Sequence, residues 1–188
     1  MKQLIECVPN FSEGNNLQIV NQITDAISSV DGVKLLNVDP GKATNRTVVT
    51  LVGEPAAVVE AAFRGIQKAA ELIDMSKHHG EHPRMGATDV CPFIPVANIS
   101  MEETAAWSQK LAKRVGEELN IPVYLYEEAQ ADKSRSNLSV IRAGEYEGFF
   151  KKIKEPLDGF KAVHCPLDPY ENEQRLPLKM KMWELRMK

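Results

Sequence analysis

VKLLNVDPGKATNRTVVTLVGEPAAVVEAAFRGIQKAAELID, at residues 33–74, contains two strands and a helix in the order that decides the fold. Arg46–Gly53 is rich in β-branched residues, which favours a strand, and Val33–Asp39 is predicted as the strand before it. Pro40-Gly41 predicts the turn between the two strands. Pro55 suits the first turn of a helix. The apolar residues that follow it lie on one helical stripe: Val59, Phe63, Ile66, Ala70 and Ile73.

The flanking segments continue the same pattern on both sides. Gln3–Val8 is a short apolar run closed by a proline, which predicts a strand, and residues 15–30 have the spacing of an amphipathic helix. Thr88–Val96 predicts a further strand, whose two prolines favour an edge position or a bulge. The resulting order, strand-helix-strand-strand-helix-strand, is the split βαβ or ferredoxin-like arrangement.

A further helix and strand extend this arrangement. Ser100 and Glu103 predict a capping box for a helix through Leu119, Ile121–Tyr126 is predicted as a fifth strand, and one or two helices are predicted across Leu138–Lys154. The predicted fold class is therefore α/β (α+β): a ferredoxin-like βαββαβ order extended by a helix and a strand, with a mixed sheet and helices on one face. We expect seven side chains to be buried: Val20, Ile23, Ile27, Val59, Phe63, Ile66 and Leu111.

Composition limits the class of protein. The 188 residues are 43% hydrophobic and 26% charged, as in ordinary globular proteins, and the net charge of −3 offers no basic surface to nucleic acid. No apolar run approaches the roughly 20 residues that span a bilayer, and the N-terminus meets a turn too early for a signal peptide. We therefore expect a cytoplasmic protein that binds neither nucleic acid nor membrane. Because helices on one face leave the other sheet face bare, we expect a second domain or a second subunit, as in a homodimer, to cover it.

The densest polar cluster is SKHHGEHPRMG at residues 76–86, which contains three of the four histidines. One interpretation is a solvated loop with incidental histidines. A second is a metal site built from His78, His79 and His82, although Gly80 and Pro83 oppose a regular helix and no H-E-x-x-H motif is present. A third is a general acid/base, because imidazole titrates near neutrality, with a nearby arginine to hold an anionic substrate.

Two further clusters contain candidate site residues. Asp39 ends one predicted strand and Arg46 begins the next, so both are expected near one hairpin tip, although turn chemistry alone also explains such residues. Residues 9–14, PNFSEG, leave the first strand, and a capped helix start explains them equally well. The sequence contains no phosphate-binding loop, dinucleotide fingerprint or G-x-S-x-G elbow.

Several long strings resemble the formiminotransferase family. They are ECVPNFSEG at residues 6–14, Asp39 followed by NRTVVTLVGEP at 45–55, LIDMSKHHGEHPRMGATDVCPFIPV at 72–96, IPVYLYEEA at 121–129 and IRAGEYEG at 141–148. The resemblance implies transfer of the formimidoyl group of N-formimidoyl-L-glutamate to N5 of tetrahydrofolate, a step of histidine degradation. Tetrahydrofolate would be a co-substrate, and no metal is implied.

The resemblance also implies roles for individual residues. His82, within HGEHPRMGA, matches the catalytic acid/base of the family, and Asp39 matches an acidic group that assists it. Asn10, Arg46 and Arg84 are further candidates for holding carboxylates or orienting the folate. This assignment suits the chemistry, because a histidine can take the proton from N5 and return it to the leaving glutamate nitrogen.

After about Pro156 the resemblance ends. The family continues with a tryptophan, PDFGP and a glycine-rich segment, whereas this chain has LDGFKAVHCPLDPYENEQ. We therefore expect residues 1–158 to form the N-terminal subdomain, residues 159–188 to be a divergent and poorly ordered tail, and the C-terminal subdomain of the family to be absent. The alternative to a transferase is a truncated or frame-shifted non-catalytic subdomain that folds and binds a partner through its exposed sheet.

Overall fold

The computed structural model describes residues 1–148. Its strands and helices are, in chain order, β1 (Leu4–Cys7), β2 (Asn10–Phe11), α1 (Leu17–Ser28), β3 (Val33–Gly41), β4 (Arg46–Gly53), α2 (Pro55–Leu72), β5 (Thr88–Val90), β6 (Phe93–Ala97), α3 (Met101–Leu119) and α4 (Leu138–Arg142). Single 3₁₀ turns lie at Met75–Lys77, Glu127–Ala129 and Lys133–Arg135.

The sheet has the strand order predicted from the sequence. β4 lies between β3 on one side and the consecutive strands β1 and β2 on the other, and these two pair in turn with β6 and β5. This is the ferredoxin-like order, which confirms the α+β fold class. The prediction of a mixed sheet was wrong, because every strand pair within residues 1–148 is antiparallel. The two strands that α1 joins run parallel, but β4 lies between them and pairs antiparallel with both.

The core lies between one face of the sheet and the helices, as predicted. Along β4, Thr47, Val49 and Leu51 are fully buried, whereas the residues between them are half-buried, which is the alternation of a strand covered on one side. All seven side chains expected in the core are buried, and all of them except Val20 share one cluster with residues of β1 and β4. The opposite face of the sheet therefore has no helix packed on it among residues 1–148.

The predicted fifth strand at Ile121–Tyr126 was wrong. Only Val123 forms a bridge there, and the rest of the segment is irregular. Pro122 has no N–H to donate to a ladder, and Asn120 ends α3 in the left-handed conformation, with a φ of 55°. Within the predicted helical region, α4 and residues 145–148 are helical. The remainder to Lys154, the predicted boundary at residue 158 and the predicted tail lie outside the described residues.

None of the helices that the structure describes is both long and apolar enough to cross a membrane. The two longest, α2 and α3, instead present an apolar stripe to the core.

The predicted capping box at the start of α3 is present. The Oγ of Ser100 accepts a hydrogen bond from the backbone N–H of Glu103 at 3.1 Å, and the Glu103 carboxylate accepts one from the Ser100 N–H at 2.8 Å. We expect Ser100→Ala to lower the free energy of unfolding by about 1 kcal/mol, because it leaves a helix N–H without its partner. In thermal unfolding this corresponds to a fall in Tm of about 3 °C.

Aspartate caps helices as well as serine does, so Ser100→Asp serves as the matched control and should unfold close to the wild-type temperature. Equal Tm values for Ser100→Ala and the wild type would show that the cap contributes nothing to stability.

Candidate functional site

Three loops meet at the tip of the β3–β4 hairpin, and Asn45 holds them together. Asn45 adopts the left-handed backbone conformation, with a φ of 46°, which asparagine tolerates better than most residues. Its Oδ1 accepts a hydrogen bond from the backbone N–H of Gly14 at 3.0 Å, and its Nδ2 donates to the carbonyl of His79 at 2.9 Å. The loop after β2 and the histidine-rich loop (residues 76–86) are thus both fixed to the hairpin.

Gly80 brings the histidine-rich loop into direct contact with the hairpin backbone. A Cβ at this position would lie 2.3 Å from the carbonyl oxygen of Thr44, closer than any side chain can approach a backbone atom. The neighbouring Glu81 N–H donates to the carbonyl of Ala43 at 3.3 Å. The approach of the loop to the hairpin therefore requires a glycine at residue 80.

His78 is a structural residue and not a solvated loop histidine. Its side chain is buried, its Nε2 lies 2.8 Å from the carbonyl oxygen of Asn45, and its Nδ1 accepts a hydrogen bond from Nε of Arg84 at 3.2 Å. Because a guanidinium can only donate, Nδ1 is the acceptor and Nε2–H is the donor. His79, by contrast, is exposed.

His82 lies beside Arg46 on the sheet face that carries no helix. Nη1 of Arg46 is 3.1 Å from Nδ1 of His82, and Nε of Arg46 donates to Oδ1 of Asn10 at 2.9 Å. Nδ1 of His82 also lies 2.6 Å from the carbonyl oxygen of Pro83. The ring is half-buried, and its Nε2 makes no hydrogen bond with residues 1–148. Asn10, Arg46 and His82, which are distant in the sequence, thus form one connected group.

A buried carboxylate, that of Asp89, lies behind this group. Asn10 faces Val90 and Phe11 faces Thr88, so Asp89 is the extra residue of a β-bulge between β2 and β5. A bulge redirects a side chain that would otherwise follow the alternation of the strand. The Asp89 side chain is 0% exposed and accepts hydrogen bonds from Nη1 of Arg46, Nη2 of Arg142 and, at 2.9 Å, the N–H of Met85. The bulge therefore supplies a single anion that holds two arginines.

Arg84 points to a different part of the chain. Its Nη1 donates to Glu145 at 2.9 Å and its Nη2 to Glu147 at 2.7 Å, and only 13% of its side chain is exposed. Hydrogen bonds from Arg84 hold the pKa of the Glu147 carboxyl below its ordinary value. Arg84 and Arg142 together bind the segment around residues 138–148 to the rest of the site.

Asp39 shares the sheet face of His82 but does not contact it. Asp39 and Asn10 lie directly opposite Val48 on its two sides, so the three side chains point to one face. Asp39 is exposed and makes no hydrogen bond or ion pair with residues 1–148. Since neighbouring strands are about 4.8 Å apart, Asp39 lies roughly 10 Å from Asn10. The two residues are therefore in line across the sheet, with Val48 between them.

The three neighbouring histidines do not converge. His78 and His82 bind different arginines, and His79 is exposed. In the part of the chain that the structure describes, no group of three His, Cys, Asp or Glu side chains is arranged to hold a metal ion.

Comparison with known families identifies the family of the chain. The family model for the formiminotransferase domain, N-terminal subdomain, matches residues 4–165. This chain belongs to the formiminotransferase family. The match includes every residue of the group around His82, together with Asp39, Arg84 and Arg142.

Named relatives within the family include proteins of two kinds. A formimidoyltransferase-cyclodeaminase from Mus musculus is 57% identical over 155 residues, which are 82% of this chain and 29% of that protein. A glutamate formimidoyltransferase from Thermoplasma acidophilum is 51% identical over 154 residues, 82% of this chain and 50% of that protein. Another, from Streptococcus pyogenes serotype M1, is 42% identical over 182 residues, 95% of this chain and 61% of that protein. This formiminotransferase chain therefore spans between 29% and 61% of the length of these relatives.

Sequence reasoning missed Asp89 and Arg142. The signal for Asp89 was an acid between Thr88 and Val90 in a predicted strand, since a charge inside a sheet needs a partner. Nothing in the spacing identified Arg142, 53 residues away, as that partner. The contact exists only because α4 returns to the end of the sheet.

Proposed function

We propose that this formiminotransferase chain transfers the formimidoyl group of N-formimidoyl-L-glutamate to N5 of tetrahydrofolate, as the names of its glutamate formimidoyltransferase relatives suggest. The observation that carries the proposal is His82, an imidazole on the open sheet face whose Nδ1 lies 2.6 Å from the carbonyl oxygen of Pro83 and 3.1 Å from Nη1 of Arg46, while Nε2 remains available. A ring held at one nitrogen presents the other to a substrate in a defined direction.

In the proposed reaction His82 transfers one proton. The lone pair of N5 attacks the amidine carbon of N-formimidoyl-L-glutamate and forms a tetrahedral intermediate. His82 takes the proton that N5 loses and delivers it to the glutamate nitrogen, whose bond to carbon then breaks. Glutamate leaves, and the formimidoyl group remains on N5. His82 returns to its starting state, so the step needs no oxidant and no metal.

The charges of the described residues suit anionic substrates. Arg46 and Arg142 share the single carboxylate of Asp89, which leaves an excess of positive charge beside His82. Both proposed substrates carry carboxylates, and arginine binds such groups with two parallel hydrogen bonds. We assign Arg46 and Asn10 to orienting a substrate, and Asp39 to the amidinium charge that develops at the far side of the ligand. Arg84 could bind a substrate carboxylate only by releasing Glu145 or Glu147, so its part in binding stays a prediction.

The open sheet face would be one wall of the substrate site. We propose that residues 1–158 are the unit that carries His82, that residues 159–188 are separate from it, and that a second subdomain or a second copy in a homodimer supplies the facing wall. The cytoplasm is the compartment we propose.

The test compares two proteins. One is the 188-residue chain, and the other is a chimaera in which residues 1–158 are followed by the part of the S. pyogenes relative that comes after the residues aligned with them. We expect the chimaera to form 5-formimidoyl-tetrahydrofolate and glutamate, measured by chromatography and mass spectrometry, and the chain alone to be far slower, because positioning supplies much of a rate enhancement.

A folded chimaera that forms no product would favour the alternative of a non-catalytic subdomain. Equal rates in the two proteins would show instead that the 188 residues need no facing wall.

A further inference from the structure

The proton on the His82 ring lies between two neighbours with opposite requirements. Nδ1 is 2.6 Å from the carbonyl oxygen of Pro83, which can only accept a hydrogen bond. Nδ1 is also 3.1 Å from Nη1 of Arg46, which can only donate one. The Pro83 contact needs a proton on Nδ1, and the Arg46 contact needs a lone pair there. Only one of these contacts can be a hydrogen bond at a time.

The distances favour the contact with Pro83. Without a proton on Nδ1, two lone pairs would face each other at 2.6 Å, which is shorter than the usual separation of even a hydrogen-bonded nitrogen and oxygen. With the proton, the same distance is a short hydrogen bond, and the 3.1 Å separation from Arg46 remains a tolerable contact. The neutral ring therefore carries its proton on Nδ1, and Nε2 is the basic nitrogen.

Arg46 is a weakened donor to His82, because Asp89 accepts one of the two hydrogens on Nη1 and its carboxylate offsets the guanidinium charge, which leaves only the second Nη1 hydrogen to face the ring. Nη1 donates to the carboxylate of Asp89, and Nε donates to Oδ1 of Asn10 at 2.9 Å. A guanidinium is planar and rigid, so two such bonds on different nitrogens fix its plane. Asp89 is in turn fixed by the bulge and by the N–H of Met85, and it is fully shielded from water.

We propose that Asp89 is a positioning residue that sets the tautomer of His82 through Arg46. With Asp89 present, Arg46 is held back, Nδ1–H donates to Pro83, and Nε2 is free to accept a proton. Without the carboxylate, Arg46 turns its Nη1 hydrogens to Nδ1 and the ring proton moves to Nε2. That Nε2 is the catalytic base rests on the proposed function, whereas the coupling between Asp89 and the tautomer does not.

The first experiment reads the tautomer directly. Long-range ¹H–¹⁵N spectra of the 188-residue chain, above the pH at which the rings are protonated, distinguish Nδ1–H from Nε2–H, and His82→Ala identifies the signal. We expect Nδ1–H in the wild type and predominantly Nε2–H in Asp89→Asn. Glu147→Gln is the matched control, because it removes a carboxylate that binds Arg84 and not Arg46, and it should retain Nδ1–H.

A double variant tests whether Arg46 carries the effect. In Asp89→Asn/Arg46→Met the competing donor is gone, so the ring should return to Nδ1–H. Asp89→Asn leaves two arginines without their anion. Asp89→Asn/Arg142→Met removes one of these arginines, so that a single unpaired cation remains. This variant should show the same change to Nε2–H as Asp89→Asn. An Nε2–H ring in the wild type, or Nδ1–H in the folded Asp89→Asn variants, would overturn the proposal.

Kinetics of the chimaera separate positioning from folding. If about one ring in ten keeps the reactive tautomer, kcat in Asp89→Asn falls roughly tenfold while KM changes little, because the ground-state contacts persist. A tautomer change in a chimaera that has no transferase activity at all would refute the proposed function and leave the role of Asp89 intact. Unchanged kcat despite the tautomer change would show that Nε2 is not the base.

Discussion

His82→Ala should lower kcat for formimidoyl transfer in the chimaera by about 10²–10⁴-fold, the usual contribution of a general acid or base. The loss follows from the proposed proton transfer, because no other imidazole of residues 1–148 is available to replace His82. His78 is buried with both ring nitrogens bonded, and His79 is an exposed residue near the hairpin tip. Substrate binding should change less than kcat, since Arg46 and Asn10 remain in place.

The matched control is His79→Ala, which removes an imidazole from the same loop and should leave kcat near the wild-type value. His78→Ala is unsuitable as a control because its ring supports the hairpin and Arg84. A chimaera with His82→Ala that kept near-full activity would remove His82 from the mechanism. Loss of activity in His79→Ala to the same extent would show that the loop as a whole, and not one ring, is responsible.

Gly80→Ala should lower kcat about 100-fold, although residue 80 touches no substrate in the proposed mechanism. Its Cβ would lie 2.3 Å from the Thr44 carbonyl oxygen and 3.1 Å from Cβ of Asn45, both parts of the hairpin tip. The loop must retreat by roughly 1 Å to relieve this overlap, and a displacement of that size at a catalytic group costs about 10²-fold. His82 follows two residues later and moves with the loop.

Gly86→Ala is the control within the same loop, because its added Cβ would meet only the carbonyl oxygen of Thr88, at an ordinary 3.7 Å. It should retain both the wild-type kcat and the wild-type His82 ring signals. The Gly80→Ala prediction fails if that variant keeps the wild-type rate and unchanged ring signals. Similar losses in both variants would mean that the loop tolerates no side chain anywhere, which contradicts the specific overlap with Thr44.

Much of the fold was predictable because local patterns and packing agree. Val59, Phe63 and Ile66 on α2, the β-branched run of β4 and the capping box at Ser100 each encode a local structure that the tertiary fold retains. Ala70 of the predicted stripe is exposed, and Ile73 is buried just after the end of α2. Ile121–Tyr126 misled because apolar residues outside a strand look the same as those inside one. Pro122 has no N–H to donate to a strand ladder, and this outweighs the apolar composition of the segment.

The site was predictable only in part. Asp39 and Arg46 could be placed near one hairpin tip because the turn between them is local. The prediction that Pro40-Gly41 forms this turn was wrong, because both residues pair within β3 and the turn lies at residues 42–45. The contact of His82 with Arg46 joins residues 36 positions apart in the sequence, and that of Asp89 with Arg142 joins residues 53 positions apart. No local sequence pattern predicts contacts between residues so far apart. The buried state of His78 was also hidden, because it depends on the approach that Gly80 permits.

The pairing of β1 has a consequence for synthesis of the chain on the ribosome. β1 pairs with β4 on one edge and with β6 on the other, where Cys7 lies opposite Phe93. Translation at about 5–20 residues per second needs roughly 4–17 s to proceed from Cys7 to Phe93. During that interval the second edge of β1 offers unpaired N–H and C=O groups to any other strand, including one from a neighbouring nascent chain. A chaperone that binds the emerging chain between completion of β4 and the arrival of β6 would protect it at its most aggregation-prone stage.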